Sequence, residues 1–179
     1  MRGTGGQDRK WNFAARWIPG IPVDRAKVRL TGTYRIIDNA FVGLEYNPLA
    51  DDLGILANWR VFEETNRRPM LMLGTSSDRI GTTSGRAYYA TLSKDLQRWT
   101  GLPVAPYVGT AFGEFDDEWV LIGGLGIRWA DHLRSTHVYD SDNLHHMLDY
   151  SFEGGYRTGV LLVQQDTKYY LGVSVGAGF

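Results

Sequence analysis

The chain has four histidines, His132, His137, His145 and His146, and Asp149 and Ser151 follow them closely. Serine, histidine and an acid are the ingredients of nucleophilic catalysis, and grouped His and Asp are the ingredients of a metal site. On a strand, where side chains alternate between faces, His145, Asp149 and Ser151 share one face, yet members at i and i+4 lie about 13 Å apart. That is too far for a hydrogen-bonded relay along one strand. No G-x-S-x-G elbow is present either. The histidines therefore read as rim or loop residues. No catalytic, cofactor-binding or metal site is assigned, and the protein is not expected to be an enzyme.

A second kind of chemistry is electrostatic. In residues 26–36, Lys27, Arg29 and Arg35 alternate with Val28, Leu30, Tyr34 and Ile36, so three cations and two threonines share a strand face. On an open sheet this would be an ordinary solvated face. In a barrel the same face lines the lumen, and Glu45, Arg60 and Lys94 are candidates to join Lys27, Arg29 and Arg35 there. If carboxylates such as Glu45 neutralise the cations, the lumen becomes a plug of ion pairs; if they do not, it is a passage favouring anions. The glycines at 123, 124 and 126, and again at 172, 176 and 178, lie within strand patterns and do not precede helices, which argues against a phosphate loop. Asp116, Asp117 and Glu118 lack the ligand spacing of a calcium loop and read as a solvated turn.

Strands must position these residues. Residues 168–179 (KYYLGVSVGAGF) put Tyr169, Leu171, Val173, Val175 and Phe179 on one face and Tyr170, Gly172, Ser174 and Gly178 on the other. Comparable segments are 11–18, 26–36, 40–46, 56–62, 70–76, 87–96, 104–113, 119–129, 144–152 and 157–163, which with the last makes eleven. Turn signals such as Pro19-Gly20 and Asp38-Asn39 separate them, the spacing of an all-β chain. The polar run 131–142 reads as a long loop. No stretch keeps a helical period, and none approaches the roughly 18 to 20 apolar residues of a spanning helix.

Composition removes further classes. A net charge of -1 gives nucleic acid no electrostatic foothold, and the absence of cysteine excludes disulfides and thiolate metal sites. Mean hydropathy of -0.28 does not separate a soluble from a membrane barrel, since lumen residues dilute lipid-facing ones. The aromatics Trp11, Trp17, Tyr46, Trp59, Trp119, Trp129, Tyr150, Tyr169 and Phe179 fall near the tips of apolar faces, as in the two interfacial girdles of a membrane barrel. The opening residues, 1–10, lack the apolar core of a secretory signal. The expectation is a polar tail, residues 1–9, followed by one all-β domain over 10–179. That domain is an antiparallel up-and-down transmembrane β-barrel of about 10–12 strands, even in number.

Two resemblances point to a location. The final segment resembles the strand by which bacterial outer-membrane barrels are handed to their assembly machinery, which makes Tyr169, Leu171, Val173, Val175 and Phe179 an insertion signal. Residues 59–96 (WRVFEETNRRPMLMLGTSSDRIGTTSGRAYYATLSKDL) run from a strand through an acidic turn and Arg-Arg-Pro to an apolar strand, a Gly- and Asp-containing loop, and Ala-Tyr-Tyr leading to Ser-Lys. This order resembles the YjbH-like outer-membrane proteins associated with exopolysaccharide export. The resemblances imply the bacterial outer membrane, with its lipid, the barrel-assembly machinery and polysaccharide-export proteins as partners. They supply no catalytic residue and no cofactor. The expected function is a passive porin-like or envelope component. The rivals are a soluble or periplasmic barrel that binds a ligand within an apolar core, and an outer-membrane lipid-modifying enzyme.

Overall fold

The computed structural model describes residues 9–179, so the expected tail lies outside the described residues except for Arg9. Arg9 donates to the Gly154 carbonyl at 2.7 Å. Twelve strands close into one antiparallel barrel, each paired with its sequence neighbours and the first with the last. They are β1 (Trp11–Trp17), β2 (Val28–Ile37), β3 (Ala40–Asn47), β4 (Asp52–Phe62), β5 (Met70–Ser77), β6 (Arg86–Ser93), β7 (Val104–Gly113), β8 (Glu118–Arg128), β9 (Leu133–Tyr139), β10 (Leu144–Ser151), β11 (Tyr156–Gln165) and β12 (Lys168–Gly178). Closure removes the exposed strand edges of an open sheet. Two helical turns, α1 (Asp24–Lys27) and α2 (Gln97–Thr100), sit in connections.

The seam is made by the chain's two ends. Asn12 pairs with Gly178 and Trp17 with Val173. The Phe179 N–H donates to the Trp11 carbonyl at 2.9 Å and the Trp11 N–H to the Phe179 carbonyl at 3.0 Å. The rim holding Trp11 and Phe179 is called the near rim, and the opposite one, reached at Trp17, the far rim.

The expectation of a long loop over 131–142 is corrected by β9, which occupies most of that run. Its two faces, Leu133, Ser135, His137, Tyr139 and Arg134, Thr136, Val138, each mix polar with apolar residues, so the contrast that marks the other strands is missing. Pairing with β8 and β10 on both sides makes it a strand. Lys27 also departs from expectation. Residues 24–27 wind into α1, β2 begins at Val28, and Lys27 instead binds Asp24 at 2.7 Å.

Apolar alternates point outward. Leu171 is 62% exposed and Leu121 64%, whereas the buried hydrophobic set is small. The alternative in which the apolar face forms the interior is not what the chain builds. Outward aromatics gather at both ends of the strands: Trp11, Tyr34, Trp59 and Tyr150 toward the near rim, and Trp17, Tyr46, Trp119, Tyr139 and Tyr169 toward the far rim.

Candidate functional site: a plugged, arginine-lined lumen

The far mouth is closed by chain. Residues 18–27, between β1 and β2, fold into it and bury Ile18, Ile21 and Ala26 against Leu161 and Val163 of β11, with Met147, Tyr170 and Ile80 packed around them. Burying an aliphatic side chain contributes about 1.5–3 kcal/mol, which makes this apolar knot the main anchor of the loop. Arg25, beside it, donates to the carbonyls of Gly85 (2.9 Å) and Asp78 (3.1 Å) and to Thr82 Oγ1 (2.8 Å), tying this loop to residues 78–85 across the mouth. Burial pushes the Arg25 guanidinium below its ordinary value, while Asp52, Glu45 and Asp78 pull it back. Arg79 extends the seal, binding Asp116, Asp142 at 2.7 Å and Ser141 at 3.1 Å. Gly81 sits at φ +109° with the Gln165 amide against its backbone, where a Cβ would have no room.

Below the plug lies the charged centre. Glu45 is fully buried and accepts from Arg29 Nε at 2.9 Å; Arg86 Nη1 reaches its other oxygen at 3.2 Å. Arg16 of β1 is paired in register directly with Arg29 of β2. At the same end of the barrel but across the lumen, His145 Nε2 meets Asp140 at 2.8 Å. Burial alone would raise the Asp140 carboxyl. The hydrogen bonds from His145 and from the Asn143 and Asp142 N–H groups outweigh it and hold the carboxyl below its usual range.

The near rim is different. Two loops, 63–69 and 94–103, surround a vestibule of about 890 Å³ lined by Arg35, Arg60, Glu63, Glu64, Lys94, Arg98 and others. Arg60 pairs with Glu63 at 3.1 Å and Lys94 with Glu64 at 2.9 Å. The six residues grouped from sequence thus occupy three places: Arg29 and Glu45 in the charged centre, Arg35, Arg60 and Lys94 around the vestibule, and Lys27 on the far-rim loop. Arg16, Arg25 and Arg86 belong with the centre and were missed. The signal for Arg16 was available, because it alternates with Trp17 and Ala15 and therefore faces away from the apolar side. Arg25 lies in a folded loop, and Arg86, the first residue of β6, shares parity with the outward Tyr88 and Leu92, so alternation places neither of them in the centre. The terminal set behaves simply: Tyr169, Leu171, Val173 and Val175 project outward from β12, and Phe179 follows it.

The histidines also sort by face. His145 points inward, while His137 and His146 are paired across β9 and β10 on the outer face, with their Nδ1 atoms 2.7 Å apart. Ser135 Oγ lies 3.3 Å from His137 Nε2 and accepts from the Trp129 indole N–H at 2.9 Å. Asp149 and Ser151 take no part in this chain. Among the described residues no group of three or more His, Cys, Asp or Glu side chains is arranged to hold a metal ion. No protein-family model matches the sequence, and comparison with curated proteins yields no match.

Proposed function

We propose that this chain is a bacterial outer-membrane β-barrel whose lumen is sealed, acting as a passive envelope component and not as an open pore. One observation carries the membrane reading: every strand contributes exposed apolar side chains to the outer wall, from Trp11 on β1 and Leu44 on β3 to Val108 on β7 and Leu171 on β12. Soluble monomers rarely expose apolar patches beyond a few hundred Å², and lipid is the solvent that suits such a belt between aromatic girdles. The plug supports the sealed state. The resemblance of residues 59–96 to YjbH-like proteins supports a role near polysaccharide export, with outer-membrane lipid, the barrel-assembly machinery and export proteins as partners. The test is fractionation together with detergent dependence. The chain is expected in the outer-membrane fraction and folded only in micelles or bilayers; a folded monomer in plain buffer would overturn the reading.

A second reading, a lipid acyl-ester hydrolase, rests on the outward chain Ser135–His137–His146. In it the Ser135 oxygen attacks an ester carbonyl and His137 takes the proton and returns it to the leaving alcohol. Water then cleaves the acyl-serine. The Trp129 indole must swing away first, because it covers the oxygen. Hydrolysis of labelled phospholipid by the wild type but not by Ser135→Ala supports this reading, and no hydrolysis by the wild type ends it.

A further inference from the structure

A cavity of about 240 Å³ lies under the far-rim plug, bounded by Arg16, Arg25 and Arg29, by the hydroxyl-bearing Ser76, Tyr89 and Tyr107, and by loop residues 78–82. Its charges are not balanced side by side. Arg16 and Arg29 face each other directly across β1 and β2, a like-charge pairing that destabilises a sheet. The available carboxylates are engaged elsewhere. Glu45 is shared by Arg29 and Arg86, and Asp52 stands 3.9 Å from Arg25. Asp78 accepts from the Arg79 and Phe115 N–H groups, and Asp140 holds His145. Arg16 Nε and Arg86 Nη2 are buried and find no hydrogen-bond partner among the described residues. Arg16 is half-buried and lines the cavity. A buried guanidinium nitrogen without an acceptor is costly, and an oxyanion between two arginines supplies what the protein does not.

We propose that this cavity is a binding site for a small oxyanion, a phosphate or a carboxylate, held between Arg16 and Arg29. The site lies wholly within the barrel, so it does not depend on where the barrel resides. Tyr107 stands as a further donor, the Tyr89 hydroxyl being committed to Asn58 Oδ1 at 2.7 Å, and the plug over the cavity keeps bulk water from competing.

The experiment is a titration of the refolded full chain in neutral detergent with inorganic phosphate, acetate and, as an uncharged control, glycerol, at constant ionic strength. The readouts are heat of binding and thermal midpoint. Saturable binding of phosphate or acetate is expected, with a rise in the midpoint that glycerol does not reproduce, and the tighter of the two anions identifies the chemistry. Arg16→Gln should abolish the response and, having removed an unpartnered charge, should unfold no earlier than the wild type in anion-free buffer. Ala111→Leu keeps every arginine but fills the cavity wall, and it should abolish the response as well. If Arg16→Gln does not fold, Ala111→Leu alone decides. A full response in Ala111→Leu, equal responses in wild type and Arg16→Gln, or no saturable response in the wild type would each overturn the proposal and leave the membrane reading untouched.

Discussion

Arg86 on β6 reaches Glu45 on β3 at 3.2 Å, passing over two intervening strands to do so. It can do this because Gly54, the β4 partner of Glu45, leaves its backbone bare: a Cβ there would overlap the Arg86 guanidinium. Gly54→Ala should therefore displace Arg86 and cost about 1.5–3 kcal/mol, the range for hydrogen bonds to charged groups. Urea unfolding in lipid vesicles measures it. If displacement is the cause, Gly54→Ala and Arg86→Gln will be strongly non-additive in a double-mutant cycle; additive effects would show that the glycine matters for another reason.

Glu45→Gln tests the centre from the other side. It leaves Arg29 and Arg86 without their shared carboxylate in a site that Arg16 already makes cationic. Removing one partner of a buried ion pair costs about 3–5 kcal/mol. Equilibrium unfolding should report a loss in that range, and a loss below about 1 kcal/mol, the worth of an exposed pair, would mean that solvent reaches Glu45.

Val173 and Ser174 separate the two faces of β12. Val173→Arg puts a cation on the outward belt and should destabilise the barrel in a bilayer by up to about 2–4 kcal/mol, the cost of such a charge at the midplane. Ser174→Arg, aimed inward, should cost less unless the lumen is too tightly packed to admit it. Spin labels at the same two positions offer a readout without the charge: residue 173 should be quenched by a lipid-soluble reagent, residue 174 should not.

Asp140 gives the far rim a pH dependence. Its carboxyl is held below the usual range in the folded protein, so the stabilisation it provides is fully present above the unfolded value of about 3.9 and fades as pH falls through the folded one. The stability gap between wild type and Asp140→Asn should be widest near neutrality and close in acid. Amide exchange at Asp142 and Asn143, whose N–H groups Asp140 accepts, should quicken over the same acid range. A gap that stays constant with pH would assign the effect of the substitution to shape and not to charge.

How much was legible in the sequence depends on contrast between faces. Residues 168–179 and 26–36 alternate cleanly, and their strands were readable almost to the residue, α1 aside. β9 was not, because Ser135 and His137 stand outward where Leu or Val would announce a wall. The cations of β2 pointed to a charged interior, and Glu45 was named as the counterion, yet the grouping with Arg35, Arg60 and Lys94 ignored height along the barrel. Period two reports a side chain's face and says nothing of which rim it is nearest. The plug was invisible for a different reason: Ile21 and Arg25 lie in a connection whose path is set by contacts with β11 and with residues 78–85, distant in sequence.

That plug makes the last prediction. Ile21 is fully buried in the knot with Ile18, Leu161 and Val163, and it anchors residues 18–27 in the far mouth. Wild-type barrels in planar bilayers should be electrically silent at moderate voltage, because the knot, the Arg25 contacts and the Arg79 bridges close the far end together. Ile21→Asp puts an unpaired charge into the knot and expels the loop at a cost of several kcal/mol, without touching an outward-facing residue or a rung of the wall. The barrel should remain in the membrane and stay resistant to protease along its strands, while residues 18–27 become cleavable from the far side. With the loop out, current should flow, and the Arg16–Arg29 pair should give it an anion preference that falls as salt rises over a Debye length of about 10 Å at 0.1 M. Steady conductance in the wild type would refute the sealed lumen. Silence in an Ile21→Asp barrel with a cleaved loop would place the true constriction lower, at the ion pairs around Glu45.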